Sequence, residues 1–307
     1  MQFLSIDIGG TYTKYAVVTD EGQIVHQGKM STPDNLDDLV TQLIAVKKNL
    51  QADWQLDGIS LSCPGKVQKG SHLIEHGGSL PYLDQQELTK LIGEDDFPES
   101  HLLTINDAKA AALAEYWQGT LVGSKQSLVV TLGTAIGGAI LINGEVLEGS
   151  HFQAGELSFI AYTGQDRSLS NRLIPNIGDS LSAVGFVEAA AKILGLPSAK
   201  GELVFDSIAR GDHILQPLFK QYCKDLANVL LTVDTVLDLD RIAIGGGVSS
   251  QPILIQEISH QLQILHDSIK ARNQHLTLPV VVACQFQNDA NLLGSAYALM
   301  KQIGVTQ

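Results

Sequence analysis

Apolar and polar residues alternate in blocks along the chain, and these blocks predict a mixture of strands and helices. Short apolar runs bounded by turn residues indicate strands, and apolar residues spaced at i, i+3 and i+4 indicate helices. The predicted strands are 3–8, 14–19, 23–29, 57–62, 102–105, 127–132, 139–142, 145–147, 241–244 and 280–284. The predicted helices are 35–49, 107–117, 181–194, 216–237, 252–264 and 290–303.

The order of these elements repeats. Residues 3–29 predict a strand, a glycine-rich turn, a strand, a tight turn and a third strand, and residues 127–147 predict the same series. A repeated series predicts two related halves in an α/β protein. We place the boundary near Gly119, between the alanine-rich helix and the second set of strands, which predicts domains of residues 1–118 and 119–289.

Composition and charge narrow the class of protein. The chain has 307 residues, which is enough for one large or two medium domains, with 44% hydrophobic and 17% charged residues. The formal net charge is 20 − 33 = −13. This charge argues against non-specific binding to nucleic acid or to an anionic membrane. No apolar run reaches the length of a membrane span, and the first residues do not resemble a signal peptide.

The cysteines indicate neither a disulfide framework nor a cysteine zinc site. Cys63, Cys223 and Cys284 are far apart, and no CxxC pair is present. Such sparse thiols fit a reducing compartment, so we expect a cytoplasmic protein.

Three glycine-rich turns directly follow predicted strands, at residues 7–14 (DIGGTYTK), 132–138 (LGTAIGG) and 244–250 (IGGGVSS). Glycine lets the backbone approach a ligand, and successive N–H groups with Ser or Thr hydroxyls form a nest for phosphate oxygens. One such turn is equally well explained as a tight hairpin. Three of them at strand ends favour a nucleotide site, although neither GxxxxGK[ST] nor GxGxxG is present.

Asp7 lies in an apolar strand, where an unpaired carboxylate costs several kcal/mol. Beside a phosphate nest it would repel the ligand unless Mg²⁺ lies between them, and Mg²⁺ is held by one or two carboxylates, phosphates and waters. The alternative is a structural ion pair with Lys14.

Two further carboxylates are candidates for chemistry. Asn106 and Asp107 follow a strand and begin a helix, where they suit helix capping and where Asp107 can also accept a proton from a substrate hydroxyl. Glu156, after Ala154 and Gly155, can accept hydrogen bonds from sugar hydroxyls or can be a solvated loop residue.

Together these motifs resemble the ROK family of sugar kinases, within the actin/hexokinase/Hsp70 group. Residues 7–14 resemble its first phosphate motif, and residues 106–115 (NDAKAAALAE) resemble its catalytic segment. Residues 132–156 resemble its second phosphate motif and sugar loop, residues 244–250 its adenosine motif, and residues 289–299 its closing helix. Five motifs in the family's order cover nearly the whole chain.

The resemblance implies two ribonuclease-H-like (actin-like ATPase) domains with a central cleft for ATP and sugar, residues 290–307 packing back on the first domain, and a homodimer. It implies an ATP-dependent sugar kinase with Asp107 as the general base and with Asp7 organising Mg²⁺, through water. The implied ATP and phosphate residues are Asp7, Gly9, Gly10, Thr11, Lys14, Gly133, Thr134, Gly137, Gly246 and Gly247. The implied sugar-binding residues are Gly65, Asn106, Asp107 and Glu156.

The sequence departs from the family pattern after Glu156. Phe159 stands where many members have a His that serves sugar and zinc, and the CxCGxxGCxE segment is absent, so we expect no zinc site. Arg167, Asn171 or Asn176 are candidates to line that side of the sugar instead. The change predicts a more open or apolar anomeric side.

A β-glucoside phosphorylated on its 6-hydroxyl fits such a site, and residues 77–83 (GGSLPYL) resemble the β-glucoside kinase branch. Free glucose and N-acetylmannosamine remain alternatives. A sugar-binding regulator without kinase activity is the alternative function, although the charge and the presence of both Asp7 and Asp107 favour catalysis.

Overall fold

The computed structural model describes residues 1–161, 176–271 and 276–305. The chain forms two compact units. Unit 1 is Met1–Val122, Val146–Ala154 and Asn288–Gln307, and unit 2 is Gly123–Glu145 and Gly155–Gln287. The strands are β1 (Gln2–Ile8), β2 (Tyr12–Thr19), β3 (Ile24–Ser31), β4 (Gly58–Cys63), β5 (Lys66–Val67), β6 (Ile74–His76), β7 (Leu102–Asn106), β8 (Gln126–Leu132), β9 (Ile136–Ile142), β10 (Glu145–Val146), β11 (Arg241–Gly245) and β12 (Val280–Ala283). The helices are α1 (Leu36–Asp53), α2 (Leu88–Gly93), α3 (Asp107–Gln118), α4 (Ile177–Ser180), α5 (Ala183–Ile193), α6 (Gly201–Ala209), α7 (Leu215–Leu237), α8 (Pro252–Lys270) and α9 (Ala290–Gln302).

The sheet of unit 1 has the strand order β3-β2-β1-β4-β7. Strands β1, β2 and β3 are antiparallel, whereas β1, β4 and β7 are parallel. The apolar residues of β1 are buried together with those of β4, and Leu39 and Leu43 of α1 belong to the same core cluster. Because parallel strands end at the same edge of a sheet, the residues that follow β1, β4 and β7 lie near one another.

Helix α9 packs closely on α3 and on the sheet of unit 1. A Cβ added to Gly294 would overlap the carbonyl oxygen of Ala110, so only glycine permits this approach of the two helices. Buried hydroxyls tie the same helix to the sheet: Ser5 Oγ lies 2.8 Å and Ser60 Oγ 3.2 Å from Ser295 Oγ. The C-terminal helix is thereby held against β1, whose end carries Asp7.

The sheet of unit 2 has the equivalent order β10-β9-β8-β11-β12, again with an antiparallel hairpin beside three parallel strands. Asn143 and Gly144, which connect β9 to β10, have φ values of 53° and 78°. Positive φ at both central residues matches a type I′ hairpin turn. The repeated series predicted from the sequence is therefore present in the strand order of both sheets.

The helices of unit 2 bury a cluster of aromatic rings from α5, α6 and α7. Phe186 stacks on Tyr222 with ring centroids 4.5 Å apart, and Phe205 meets Phe219 edge to face at 6.1 Å. In the helices described for this chain, no segment is long and apolar enough to cross a membrane.

Candidate active site

Asp7 lies at the end of β1, paired in register with Ser62 of β4, and is only 7% exposed. Its Oδ1 accepts hydrogen bonds from Ser62 Oγ at 2.8 Å and from Asn291 Nδ2 at 2.9 Å. Its Oδ2 lies 3.8 Å from Lys14 Nζ, which donates to the carbonyl oxygen of Asn288 at 3.1 Å. The burial of this carboxylate is thus offset by two hydrogen bonds and one nearby cation.

The two oxygens of Asp7 have different surroundings. Oδ1 is held by the sheet and by α9, so it fixes the orientation of the carboxylate. The Lys14 ammonium lies beyond hydrogen-bond distance of Oδ2. The structural ion pair considered from the sequence therefore exists as a loose pair and leaves a charged group at the strand end.

The first glycine-rich turn is shaped by its own backbone bonds. Gly9 N–H donates to the carbonyl oxygen of Tyr12 at 3.1 Å, and Thr32 Oγ1 donates to the carbonyl oxygen of Gly9 at 2.6 Å. Thr32 N–H also donates to the carbonyl oxygen of Thr11 at 3.0 Å. The amide of Gly9 thus belongs to the turn, whereas Gly10 and Thr11 lie exposed at its tip.

Asn106 caps helix α3. Its Oδ1 accepts from Lys109 N–H at 3.1 Å, while its Nδ2 donates to Gly65 O at 2.9 Å and to Asp107 Oδ1 at 3.0 Å. Ala108 N–H also donates to Asp107 Oδ1, at 2.8 Å. Asn106 therefore provides the cap, and the carboxylate of Asp107 is oriented by two donors at the first residue of the helix.

Gly65 has a φ of 92°, and a Cβ there would overlap the carbonyl oxygen of His76. Glycine is required because the chain turns tightly after β4 and passes close to β6. The turn presents the Gly65 carbonyl to Asn106, so that Gly65 positions the start of α3 through its backbone.

Asp7 and Asp107 come to the same edge of the unit 1 sheet, with β4 between their strands. Cys63, the last residue of β4, pairs in register with Asn106 and is fully buried. Burial raises the pKa of the Cys63 thiol well above its usual range, and the charges of Asp107 and Asp7 raise it further. Because Asp7 pairs with Ser62 and Asn106 pairs with Cys63, both carboxylates lie at the end of the sheet where β4 ends.

Three contacts in unit 1 are not predictable from the sequence. Lys109, two residues beyond Asp107, is 4% exposed and forms an ion pair with Glu148. Asn291 and Ser62 hold Asp7 as described above. The sequence offers two signals, a lysine in an alanine-rich helix and Ser62 in an apolar strand. Neither signal identifies the residue that it contacts.

In unit 2, the second and third glycine-rich turns follow the neighbouring strands β8 and β11. Gly133 N–H donates to the carbonyl oxygen of Ala135 at 3.1 Å, as Gly9 does in its own turn, and Thr134 is exposed. Gly246 has a φ of 94°, and a Cβ there would overlap the carbonyl oxygen of Leu132. Gly246 therefore serves the packing of the two turns, whereas a Cβ on Gly247 would meet open space.

The Glu156 loop packs on β9 through glycines. Gly137 is paired with Thr131 of β8, and a Cβ on the next residue, Gly138, would lie 2.6 Å from the Gly155 carbonyl oxygen. Gly155 itself has a φ of 90°. The loop is thus held against β9, which follows the second glycine-rich turn, and Glu156 is exposed.

The residues considered in place of the family His have different positions. Phe159 is 78% exposed, on the single 3₁₀ turn that follows Glu156. Asn176 caps α4, because its Oδ1 accepts from Asp179 N–H at 3.0 Å. Arg167 and Asn171 lie outside the described residues. Over ranges 1–161, 176–271 and 276–305, no group of three or more His, Cys, Asp and Glu side chains is arranged to hold a metal ion.

A family model described as "ROK family" matches residues 3–303. The chain belongs to the ROK family. The motif resemblance is therefore confirmed over almost the whole sequence.

Curated relatives and a solved structure extend this result. The chain is 31% identical over 253 residues to a beta-glucoside kinase of Klebsiella pneumoniae, covering 82% of this chain and 84% of that protein. It is 28% identical over 307 residues to a beta-glucoside kinase of Listeria monocytogenes, covering 98% of each. A ROK family protein of Streptococcus pneumoniae, solved in complex with sucrose, matches all of both chains with a TM-score of 0.86 and 26% identity. The predicted α/β fold of two ribonuclease-H-like halves is confirmed by this match.

Proposed function

We propose that this protein, a carbohydrate kinase of the ROK family, transfers the γ-phosphoryl group of ATP to the 6-hydroxyl of a β-glucoside or hexose, with Asp107 as general base. The observation that carries the proposal is the position of Asp107: its carboxylate stands at the first residue of α3, oriented by Asn106 and Ala108, at the edge that also carries Asp7. A base must be held within reach of the proton it takes, and this geometry supplies a held carboxylate.

The proposed chemistry at Asp107 is a single proton transfer. The sugar hydroxyl gives its proton to the carboxylate as its oxygen attacks the γ-phosphorus and as the bond from phosphorus to the leaving ADP oxygen breaks. Asn106 donates a hydrogen bond to Asp107 and is itself fixed by a hydrogen bond to the Gly65 carbonyl oxygen. Both contacts keep the carboxylate oriented toward the attacking hydroxyl. We assign the sugar hydroxyls to Asn106, Asp107 and Glu156.

The edge of the unit 1 sheet at Asp7 is suited to bind Mg²⁺ together with the phosphates of ATP. Mg²⁺ usually keeps several waters and takes few protein carboxylates, so one oriented aspartate beside an exposed glycine turn is a suitable donor set. Asp7 would hold the ion through water, and the ion would neutralise charge on the phosphates. Gly10 and Thr11 offer the turn's exposed tip to phosphate oxygens, and Lys14 adds a cation beside Asp7.

For unit 2 we propose roles for the two other turns. Thr134, at the exposed tip after Gly133, would bind phosphate oxygens, with Gly137 keeping the following strand close. Gly247, whose missing side chain faces open space, would let the adenosine approach the backbone. Gly246 would act on the same site indirectly, by packing on Leu132.

A β-glucoside is the acceptor that we favour. An apolar, exposed Phe159 stands where a family His would contact the sugar, so the anomeric side can accept a substituent instead of a free hydroxyl. Two relatives that align over most of the chain are named beta-glucoside kinases, and the similar solved structure contains sucrose, which is also a glycoside.

The test is a panel of acceptors with Mg-ATP, followed by ADP release and by ³¹P NMR of the product. The panel contains glucose, N-acetylmannosamine, fructose, cellobiose and gentiobiose. We expect turnover on the β-linked disaccharides with a phosphomonoester at the 6-position, and weaker turnover on free hexoses.

Turnover confined to glucose or N-acetylmannosamine would contradict the β-glucoside assignment but would agree with the assignment as a sugar kinase. Sugar binding seen by calorimetry without ADP release on any acceptor would contradict the kinase and favour the alternative of a sugar-binding sensor. The Asp95→Asn variant, which changes an exposed carboxylate of the same unit, is the matched control for variants of Asp107.

A further inference from the structure

Lys109 has two features that are unusual for a residue of a helix. It is 4% exposed, and lysine is rarely buried unless it is paired. It also stands at the third position of α3, where the helix dipole disfavours a cation. Neither feature stabilises the helix. The contacts of the ammonium group therefore explain why a lysine stands at this position.

The ammonium of Lys109 binds one segment twice. It forms an ion pair with Glu148 Oε2 and donates to the carbonyl oxygen of Phe152 at 3.2 Å. Both partners belong to Val146–Ala154, here named the strap, which groups with unit 1 although the chain on either side of it belongs to unit 2. The strap is closed by a bond from Ala154 N–H to the carbonyl oxygen of Glu148 at 3.2 Å.

The backbone conformation of Phe152 indicates that contacts with neighbouring residues fix the strap. Its φ of 57° lies in the left-handed region, which is unfavourable for a residue other than glycine. Such a conformation persists when surrounding contacts determine it. The hydrogen bond from Lys109 to the Phe152 carbonyl is one of these contacts.

We propose that Lys109 is a positioning residue for the sugar, acting through Glu148 and the Phe152 carbonyl to fix the strap. Residues two apart on a helix point roughly 200° apart, so Lys109 and Asp107 do not face each other. The same helical turn thus presents the base on one side and holds the strap on another. The strap is followed directly in the chain by Gly155 and by Glu156, the residue that we assign to the sugar hydroxyls.

The inference rests on the proposed function for its effect on sugar, but the hold on the strap can be measured without any activity. In Lys109→Met and in Glu148→Gln we expect amide hydrogen exchange of residues 147–153 to become faster in the unliganded protein. We expect the KM for the sugar to rise about 10- to 100-fold, as a misplacement near the reacting group would produce. The KM for ATP should change less than about twofold.

The chain offers a matched control. Lys47 of α1 is also a buried lysine, 5% exposed, paired with Asp96 in the same unit. Lys47→Met should lower stability by a similar mechanism and leave the sugar KM unchanged. If Lys109 acts through Glu148, the Lys109→Met/Glu148→Gln double variant should show no more than the larger single effect.

Two results would overturn the inference. One is unchanged exchange of the strap in folded Lys109→Met protein. The other is a sugar KM that moves only as far as it does in Lys47→Met, which would assign Lys109 to stability alone. If the wild-type protein turns over no sugar, the proposed function fails separately, and the exchange measurement still decides whether Lys109 holds the strap.

Discussion

Asn291 Nδ2 donates a hydrogen bond of 2.9 Å to Asp7 Oδ1, and this bond joins residues that are 284 positions apart in the chain. The last helix of the described chain thereby orients a carboxylate on the first strand. Ser62 donates to the same oxygen, so two hydrogen bonds orient this carboxylate. The arrangement explains how a charged residue is tolerated in an apolar strand, and it makes α9 part of the candidate site.

Replacing Asn291 by Leu should therefore affect both stability and catalysis. The change removes one of two donors to a buried carboxylate, which we expect to cost about 1–3 kcal/mol of the free energy of unfolding. Urea unfolding measures this loss, and the KM for Mg-ATP should rise because Asp7 is less well oriented. An unchanged KM for Mg-ATP with the expected loss of stability would mean that Asn291 serves packing only.

The role of Asp7 can be separated from its pairing with Lys14. Asp7→Asn keeps an oxygen that can accept from Ser62 and Asn291 but removes the charge, so kcat should fall on the order of 10²-fold. The Mg²⁺ concentration needed for half-maximal activity should rise as well. If Asp7 only paired with Lys14, the Lys14→Met variant would show the same loss and the same Mg²⁺ dependence.

Much of the fold is predictable from the sequence because most elements carry a local signal. The strand Arg241–Gly245 was predicted at 241–244 and the helix Asp107–Gln118 at 107–117. The hairpin of Lys66–Val67 and Ile74–His76 was missed because its strands are too short to show alternation. Helix Gly201–Ala209 was missed because it begins at a glycine and no side chain caps it.

The candidate site divides in the same way. Asp7, Asp107 and the glycine turns can be predicted as candidates because their residue types are unusual at strand ends. Their supports were not identified, since Ser62 and Asn291 reach Asp7 across 55 and 284 positions. Contacts of this kind depend on how helices and strands pack, so they cannot be predicted from any one segment of the sequence.

Adjacent glycines in the third turn should respond differently to alanine. Gly246→Ala should destabilise the protein by at least about 1–2 kcal/mol, because a left-handed residue gains a Cβ that also overlaps Leu132. Gly247→Ala should change stability by less than about 0.5 kcal/mol, because its Cβ would meet open space. Thermal unfolding compares the two variants.

The same pair tests the adenosine assignment. We expect Gly247→Ala to raise the KM for ATP while the KM for the sugar is unchanged. Equal ATP kinetics in Gly247→Ala and wild type would remove Gly247 from the nucleotide site.

His72 should make stability depend on pH. Burial lowers the pKa of His72, and a hydrogen-bond contact with the Thr104 carbonyl offsets part of that shift. The unfolded chain therefore binds more protons than the folded one, so stability rises with pH. The free energy of unfolding should fall as pH drops through the unfolded-state pKa of about 6.5, and it should level off below the lowered pKa of the folded state.

The matched variant is His72→Asn, because Asn tolerates the φ of 59° at this position and does not titrate there. Urea unfolding at about pH 7.5 and about pH 5.5 should show a smaller pH-dependent loss in the variant than in wild type. An equal loss in both proteins would assign the pH dependence to other groups.

The most direct test of the whole account is the kcat of Asp107→Asn on the best acceptor, with ATP and sugar affinities measured on the same protein by calorimetry. Asparagine keeps the shape and still accepts from Ala108 N–H, but it cannot take a proton. We predict a fall in kcat of about 10²–10⁴-fold with both affinities within about threefold of wild type. A variant that binds both ligands and keeps a wild-type kcat would contradict the assignment of Asp107 as the base.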